Sequence, residues 1–250
     1  MLKSSLILTA NIFAGIRVFK AIATDVDGTL TLRRGDVRLS QHALRGVREA
    51  ERAGISVIIV SGNSLPVTAG LRTYLGASGP AVAENGCIVF YRGKVTHVCT
   101  RRVPEELVDR VKGMGLIESW QNPYREHDVA FYVPRGLGSP ESIINEVARL
   151  ASSYGVKVLW SGYALHLNTG SGKASGVLRA LEMLGVSRSE LAAIGDGEND
   201  LDMLAIAAFS GAPGDAADVV KRSVNYVASR PGGAGFLEFV REVIRRSTKA

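Results

Sequence analysis

The sequence predicts an α/β protein: a Rossmann-like parallel-sheet core with an inserted, smaller α+β cap domain. Three observations predict it. Short β-branched runs alternate with capped amphipathic stretches from Val18 onward, the texture changes to hairpin-like alternation after Glu84-Asn85-Gly86, and the βα rhythm returns at Lys173. The chain divides accordingly into a core over residues 18–85 and 169–250, a cap over 86–168, and an N-terminal extension over 1–17.

Each element has a local reason. Val18 to Ala23 reads as a strand that ends at Thr24-Asp25. Ser40 can cap a helix whose apolar face includes Leu44, Val47 and Ala50, with Gly54 just past its end. Ile55 to Val60 is the β-branched run of a buried parallel strand, and Ser61-Gly62-Asn63 turns out of it. Pro66 sits in the first turn of the next helix, Gly76 closes that helix, and Ala81-Val82-Ala83 is a third strand. In the inserted block, Cys87–Tyr91 and Val95–Cys99 alternate around Arg92-Gly93 as a hairpin. A helix follows Pro104 over about Glu105 to Lys112, then a strand over Val129–Val133, a helix from Ser139-Pro140 through Leu150, and two strand-like runs, Val156–Trp160 and Tyr163–Asn168. Lys173 opens a helix with Val177, Leu178, Leu181 and Leu184 on one side. Leu191–Ile194 is a strand running into Gly195-Asp196, and Asp200–Ala208 is a helix.

Composition bounds the function. With 250 residues, 46% hydrophobic and 22% charged, the chain can bury a sizeable core. The formal net charge of +6 favours anionic partners, but the basic residues fall in pairs, such as Arg33-Arg34 and Arg101-Arg102, rather than in runs. Charge alone does not choose among nucleic acid, membrane surface and small phosphorylated molecules, although pairs fit a solvated surface better than a nucleic-acid groove. Together with the chemistry at the strand ends, it makes a small phosphorylated metabolite the expected partner, with neither nucleic acid nor membrane; a homodimer is compatible with the sequence. The apolar stretch Leu6–Ile16 after Lys3 hints at a signal peptide. It is too short to span a bilayer, Asn11 interrupts it, and no small-residue cleavage site follows, so a cytoplasmic protein is expected, with translation from near Val18 as an alternative.

In open parallel sheets, sites form at the carboxyl ends of the strands. The polar clusters fall there: Asp25-Val26-Asp27-Gly28-Thr29, Ser61-Gly62-Asn63 and Gly195-Asp196-Gly197-Glu198-Asn199-Asp200. One carboxylate of the Asp25/Asp27 pair can attack phosphorus while the other serves as general acid and base. The nucleophile and a phosphate repel each other, which calls for a hard divalent cation. Asp25, Asp27, Asp196 and Asp200 can supply its oxygen ligands, and Mg2+ suits them. Lys173 can fix a positive charge against phosphate and nucleophile, while Ser61 and Gly62 bind phosphate oxygens. Taken singly, each cluster is ordinary turn chemistry. Their order, each at the end of an expected element, makes coincidence a poor account.

The run Asp25-Val26-Asp27-Gly28-Thr29-Leu30 resembles the first motif of the haloacid dehalogenase-like phosphatases, and Ser61, Lys173 and Gly195–Asp200 resemble the second, third and fourth in the same order. Glu84-Asn85-Gly86 is similar to the junction before a cap placed between the second and third motifs. The resemblance implies that Asp25 is the nucleophile and Asp27 the general acid/base. It also implies Mg2+ held by the Asp25 side chain, the Asp27 carbonyl and Asp196, with Asp200 bound directly or one step removed. Within the superfamily the chain is most similar to the archaeal-type phosphoglycolate phosphatases, which implies hydrolysis of 2-phosphoglycolate. Sugar-phosphate phosphatases share every motif, and a phosphosugar mutase is a more distant alternative.

Selectivity is expected from the cap. Arg125, His127 and Arg135 are candidates for a substrate carboxylate, against a default of solvated surface residues. His166 and Asn168 could face the site, against the default of an exposed strand face, and Trp120 and Trp160 are expected in packing roles. A reduced cytoplasm disfavours a bond between Cys87 and Cys99, although intracellular proteins of hyperthermophiles are an exception. The two cysteines would lie opposite each other only with an odd-numbered loop or a bulge, since a strict two-residue Arg92-Gly93 turn pairs Cys87 with Val98.

Overall fold

The computed structural model describes residues 18–248; the expectations for residues 1–17 fall outside it. The strands of the core are β1 (Ala21–Thr24), β2 (Ser56–Val60), β3 (Ala81–Ala83), β4 (Ile88–Tyr91), β5 (Lys94–His97), β10 (Leu191–Ile194), β11 (Phe209–Ala212) and β12 (Tyr226–Val227). They form one eight-stranded sheet in the order β12-β11-β10-β1-β2-β3-β4-β5. It is parallel from β12 to β3, and β4 and β5 add antiparallel at its edge. Between β5 and β10 lies a separate antiparallel sheet of β6 (Ile117–Glu118), β7 (Asp128–Tyr132), β8 (Lys157–Trp160) and β9 (Leu165–Asn168), in the order β6-β7-β9-β8. The hairpin expected to open the inserted block is thus the edge of the core sheet.

Alternation along the central strands sorts the core into two layers. Ile22, Val57, Ile59 and Ile194 pack toward α1 (Gln41–Arg52), α2 (Leu65–Leu75) and α8 (Gly232–Thr248). Ala21, Ala23, Ile58, Val60 and Ala193 pack toward α5 (Lys173–Leu184), α6 (Leu201–Ile206) and α7 (Asp218–Ser223). The expected caps are in place: the Ser40 hydroxyl accepts from the His42 N–H, and Gly76 ends α2 with φ of 76°. On α5, however, Leu178 is exposed, and the face against the sheet is Gly176, Val177 and Ala180. A Cβ on Gly176 would come within 2.4 Å of Val82, so only glycine lets this helix lie so close to β3.

In the inserted block, α3 (Glu105–Gly113) and α4 (Pro140–Ser152) cover one face of the antiparallel sheet. Leu107, Val111, Ile143 and Val147 pack on Phe131, Leu165 and Leu167. Among the described residues no helix covers the opposite face; its Ala130, Tyr132 and His166 look into a cleft against the core.

The cysteines correct an expectation: Cys87 and Cys99 are disulfide-bonded, with Cα atoms 4.8 Å apart. The turn is the strict two-residue type, Tyr91 opposite Lys94, with positive φ at both Arg92 and Gly93. Beyond Ile88–His97 the ladder bulges, and the Cys87 carbonyl accepts from both Val98 N–H (2.8 Å) and Cys99 N–H (3.2 Å). The extra residue brings Cys99 beside Cys87.

Candidate active site

β1 delivers Asp25 to the carboxyl edge of the sheet, and the chain turns sharply at Gly28 (φ 93°). A Cβ there would lie 2.3 Å from the Asp196 carboxylate, so glycine permits the first and fourth polar clusters to meet. β10 delivers Asp196, and Thr29 Oγ1 donates to its Oδ1 at 3.1 Å. Lys173 is the first residue of α5, where a cation opposes the helix dipole. The carboxylates offset that cost: Lys173 Nζ donates to Asp25 Oδ1 and to Asp200 Oδ1, each at 2.5 Å, and Asp202 caps the helix by accepting from the Ala174 N–H.

The carboxylates of Asp25, Asp196 and Asp200 converge, all buried, with their ligand atoms within 4.8 Å of one another. Burial, reinforced by the charge of Asp200, pushes the Asp196 carboxyl up to about 7, and the same two causes raise Asp25 well above the usual carboxylate range despite Lys173. One lysine does not balance three acids; among the described residues, the one further ion pair to them is Arg34 Nε, 3.4 Å from Asp196 Oδ2. An all-oxygen, charge-deficient pocket of this kind fits a hard divalent cation. Asp200 is already occupied: its Oδ1 meets Lys173, and its Oδ2 accepts from the N–H groups of Asp196 and Gly197. It braces the loop that carries Asp196.

Asp27 faces the same cleft, and burial raises its carboxyl. Its partner is Asn63, whose Nδ2 donates to Asp27 Oδ2 at 3.0 Å. Gln121 of the inserted block in turn donates to Asn63 Oδ1 (2.8 Å) and accepts from the Ser64 N–H (2.8 Å). Ser61 is fully buried, and its oxygen accepts from Asn63 N–H and Nδ2. Both acceptor positions are then filled, so the hydroxyl proton is free to point elsewhere. Gly62 lines the cleft, and its carbonyl accepts from Arg125.

The roof is built on a buried polar cluster. The Asp128 side chain is fully buried and accepts from Arg125 Nη1 (2.8 Å), His166 Nδ1 (2.8 Å), Asn85 Nδ2 (3.0 Å) and Asn168 Nδ2 (3.0 Å). Burial alone would raise its carboxyl, but the charges of His166 and Arg125 outweigh it and hold it down at about 2. Below it, the Glu84 carboxylate accepts from three successive backbone N–H groups, those of Glu126, His127 and Asp128. Glu84 and Asn85 adopt φ of 51° and 52° to present it.

Among the secondary candidates, Arg125 and His166 line the cleft, and both are buried rather than solvated. Asn168 supports Asp128 from beneath, His127 turns to the Arg101 carbonyl, and Arg135 stands exposed on a loop outside the cleft. Trp160 packs in the cap core as expected, whereas Trp120 is 65% exposed and lines the cleft. Sequence reasoning missed Asn63, Gln121, Asp128 and the docking role of Glu84. The cleft measures about 340 Å³.

The haloacid dehalogenase-like hydrolase family matches residues 22–119 and 138–239. A phosphoglycolate phosphatase of Aeropyrum pernix is 44% identical over 226 residues, 90% of this chain and 93% of that protein. Another, of Metallosphaera sedula, is 42% identical over 89% of this chain and 98% of its own length. Among solved structures, Thermoplasma acidophilum 0175 superposes with a TM-score of 0.78 at 30% identity, covering 90% of this chain and 98% of that one. Among the described residues, no helix is long and apolar enough to cross a membrane.

Proposed function

Because the chain belongs to the haloacid dehalogenase-like hydrolases, we propose that it is a Mg2+-dependent phosphatase that hydrolyses 2-phosphoglycolate to glycolate and phosphate through an aspartyl-phosphate on Asp25, in the cytoplasm. The observation that carries the substrate is Arg125. Its guanidinium is buried in the same small cleft as Asp25, Asp27 and Lys173, and among the described residues its Nε has no hydrogen-bond partner. A short phosphate ester with a second, carboxylate charge places that charge on Arg125 while phosphorus meets Asp25. The names of the Aeropyrum and Metallosphaera relatives point to the same substrate.

In this reading an Asp25 carboxylate oxygen attacks phosphorus, and the ester P–O bond breaks. Asp27, kept protonatable by burial and aimed by Asn63, gives its proton to the departing glycolate oxygen. Asp27 then takes a proton from the water that attacks phosphorus, the bond to Asp25 breaks, and phosphate leaves with Asp25 restored. Mg2+ on the Asp25 and Asp196 carboxylates and the Asp27 carbonyl would screen the repulsion between nucleophile and phosphate. Lys173 holds Asp25 in place and offsets part of its charge, and the Ser61 hydroxyl with the Gly62 turn would meet the phosphate oxygens.

The test compares kcat/KM for 2-phosphoglycolate and for p-nitrophenyl phosphate. Arg125→Lys keeps a cation beside Asp128 but loses the planar fork, and should cost about 10–100-fold on phosphoglycolate, with little change on the artificial ester. Equal losses on both would remove Arg125 as the reader of the carboxylate. A wild-type preference for hexose phosphates would favour the sugar-phosphate phosphatase reading, and phosphoryl transfer to a sugar rather than to water would favour the mutase.

A further inference from the structure

A second cluster of ligating side chains lies outside the cleft. His97, the last residue of β5, Glu126 and His127 bring ligand atoms within 4.8 Å of one another, and none of them lines the catalytic cleft. His127 Nδ1 stands 2.7 Å from the Arg101 carbonyl oxygen. A carbonyl only accepts, so Nδ1 carries the proton and Nε2 is left as a bare lone pair. That lone pair faces His97 Nδ1 at 2.9 Å, and Glu126 Oε2 lies 3.9 Å from the same nitrogen.

We propose that His97, Glu126 and His127 bind a Zn2+ ion at the junction between the core sheet and the cap. Ligating histidines characteristically donate their other N–H to a carbonyl or carboxylate, which fixes the tautomer. His127 already does so, and the Arg101 carbonyl is itself held by Thr169 Oγ1 at 2.8 Å. Tetrahedral zinc with bonds of about 2.0–2.1 Å sets ligand atoms roughly 3.3 Å apart. The observed 2.9 and 3.9 Å bracket that spacing, and both His97 and Glu126 are over two-fifths exposed, with room to adjust once Glu126 Oε2 leaves its 3.7 Å pairing with Arg102. Two imidazoles and one carboxylate suit Zn2+ rather than Mg2+, with water completing the shell. Binding moves the proton that otherwise lies between His97 and His127 onto His97 Nε2, so both histidines ligate as neutral imidazoles.

The position gives the ion a role. His97 belongs to the core sheet, while Glu126 and His127 lead into β7 of the cap, docked there by their N–H groups on Glu84. A cation shared among the three crosslinks hairpin and cap beside that dock, about one residue from Arg125.

Zn2+ titrated calorimetrically into the full chain in excess Mg2+, which occupies the aspartate cluster, should bind with one equivalent. The site should persist in Asp196→Asn. In His97→Asn its affinity should fall at least about tenfold while Mg2+-dependent phosphatase turnover is retained. Co2+ supplies an independent readout: nitrogen-rich, low-coordinate Co2+ absorbs strongly in the visible, six-coordinate oxygen-bound Co2+ only weakly. Strong absorption should appear in the wild type and in Asp196→Asn and vanish in His97→Asn. No Zn2+ uptake in the presence of Mg2+, or uptake that His97→Asn leaves unchanged, overturns the proposal.

Discussion

Breaking the Cys87–Cys99 crosslink tests whether the edge hairpin is held by its covalent bond or by its strand ladder. The bond spans a sequence separation of 12. Chain-entropy arithmetic for a loop near that length gives about 3 kcal/mol of stabilisation from restricting the unfolded chain. For a chain of this size, that corresponds to roughly 6–12 °C in Tm. Packing adds to it: a Cβ on Gly170 would meet the two sulfurs at 2.5 and 2.7 Å, so the backbone leaving β9 lies directly on the bridge. The assay is thermal and urea unfolding of the oxidised protein, the same protein with reductant, and Cys87→Ala/Cys99→Ala, alongside thiol titration of the denatured, unreduced chain. No free thiol should be found, the oxidised form should be the most stable, and the double variant should ignore reductant. Two free thiols, or identical unfolding with and without reductant, would refute the reasoning.

Asp25→Asn should abolish turnover with the fold intact, since an amide cannot form the acyl-phosphate; Asp27→Asn should slow turnover roughly 10²–10⁴-fold. Steady-state kinetics with circular dichroism checks both, and wild-type turnover in Asp25→Asn would end the covalent mechanism. Phosphate release should require Mg2+ and stop with a chelator, and Asp196→Ala should raise the Mg2+ concentration needed or remove activity altogether; full activity in metal-free buffer contradicts the site. Asp128 is held at about 2 against an ordinary 3.8. Its depressed carboxyl stabilises the fold above pH 4, and that contribution, on the order of 2 kcal/mol, is lost as pH falls from about 4 to 2. Acid titration of urea stability should show this drop, and Asp128→Asn should be destabilised near neutral pH by leaving Arg125 without its carboxylate, yet lack the drop.

The core site was legible because each motif is a local signal: a β-branched run, then a polar residue where the strand must end. Asp25, Lys173 and Asp196 needed only the assumption that those strands are neighbours, and β1 and β10 are. The roof was not legible for a physical reason. Asp128, Ala130 and Tyr132 alternate with Val129 and Phe131, and His166 and Asn168 with Leu165 and Leu167, the pattern of a sheet with one face in water. The second face instead closes over the core, so residues that read as solvated became a buried ionic cluster. Asn63 was visible only as turn chemistry, because its value lies in contacts with Asp27 and Gln121, 36 and 58 positions away. The disulfide depended on a bulge that no property of the Arg92-Gly93 turn announces.

For any movement of the cap, the Glu84 carboxylate, which holds three consecutive amides of the inserted block, is the natural pivot. A body fastened at one end moves by swinging about the fastening, so any opening of the cap that keeps those bonds is a rotation, and displacement grows with distance from the pivot. Arg125 and Asp128 sit beside it and travel least. The far rim, where Ser161 and Tyr163 meet Arg34 and Val37, travels most. The guanidinium therefore keeps its place against the Gly62 turn through such a swing, like the inner edge of a door. In the proposed reading, an anion on Arg125 would be gripped at the hinge side while the gate still stands ajar, and closure would then bring the outer rim shut behind cargo already aligned.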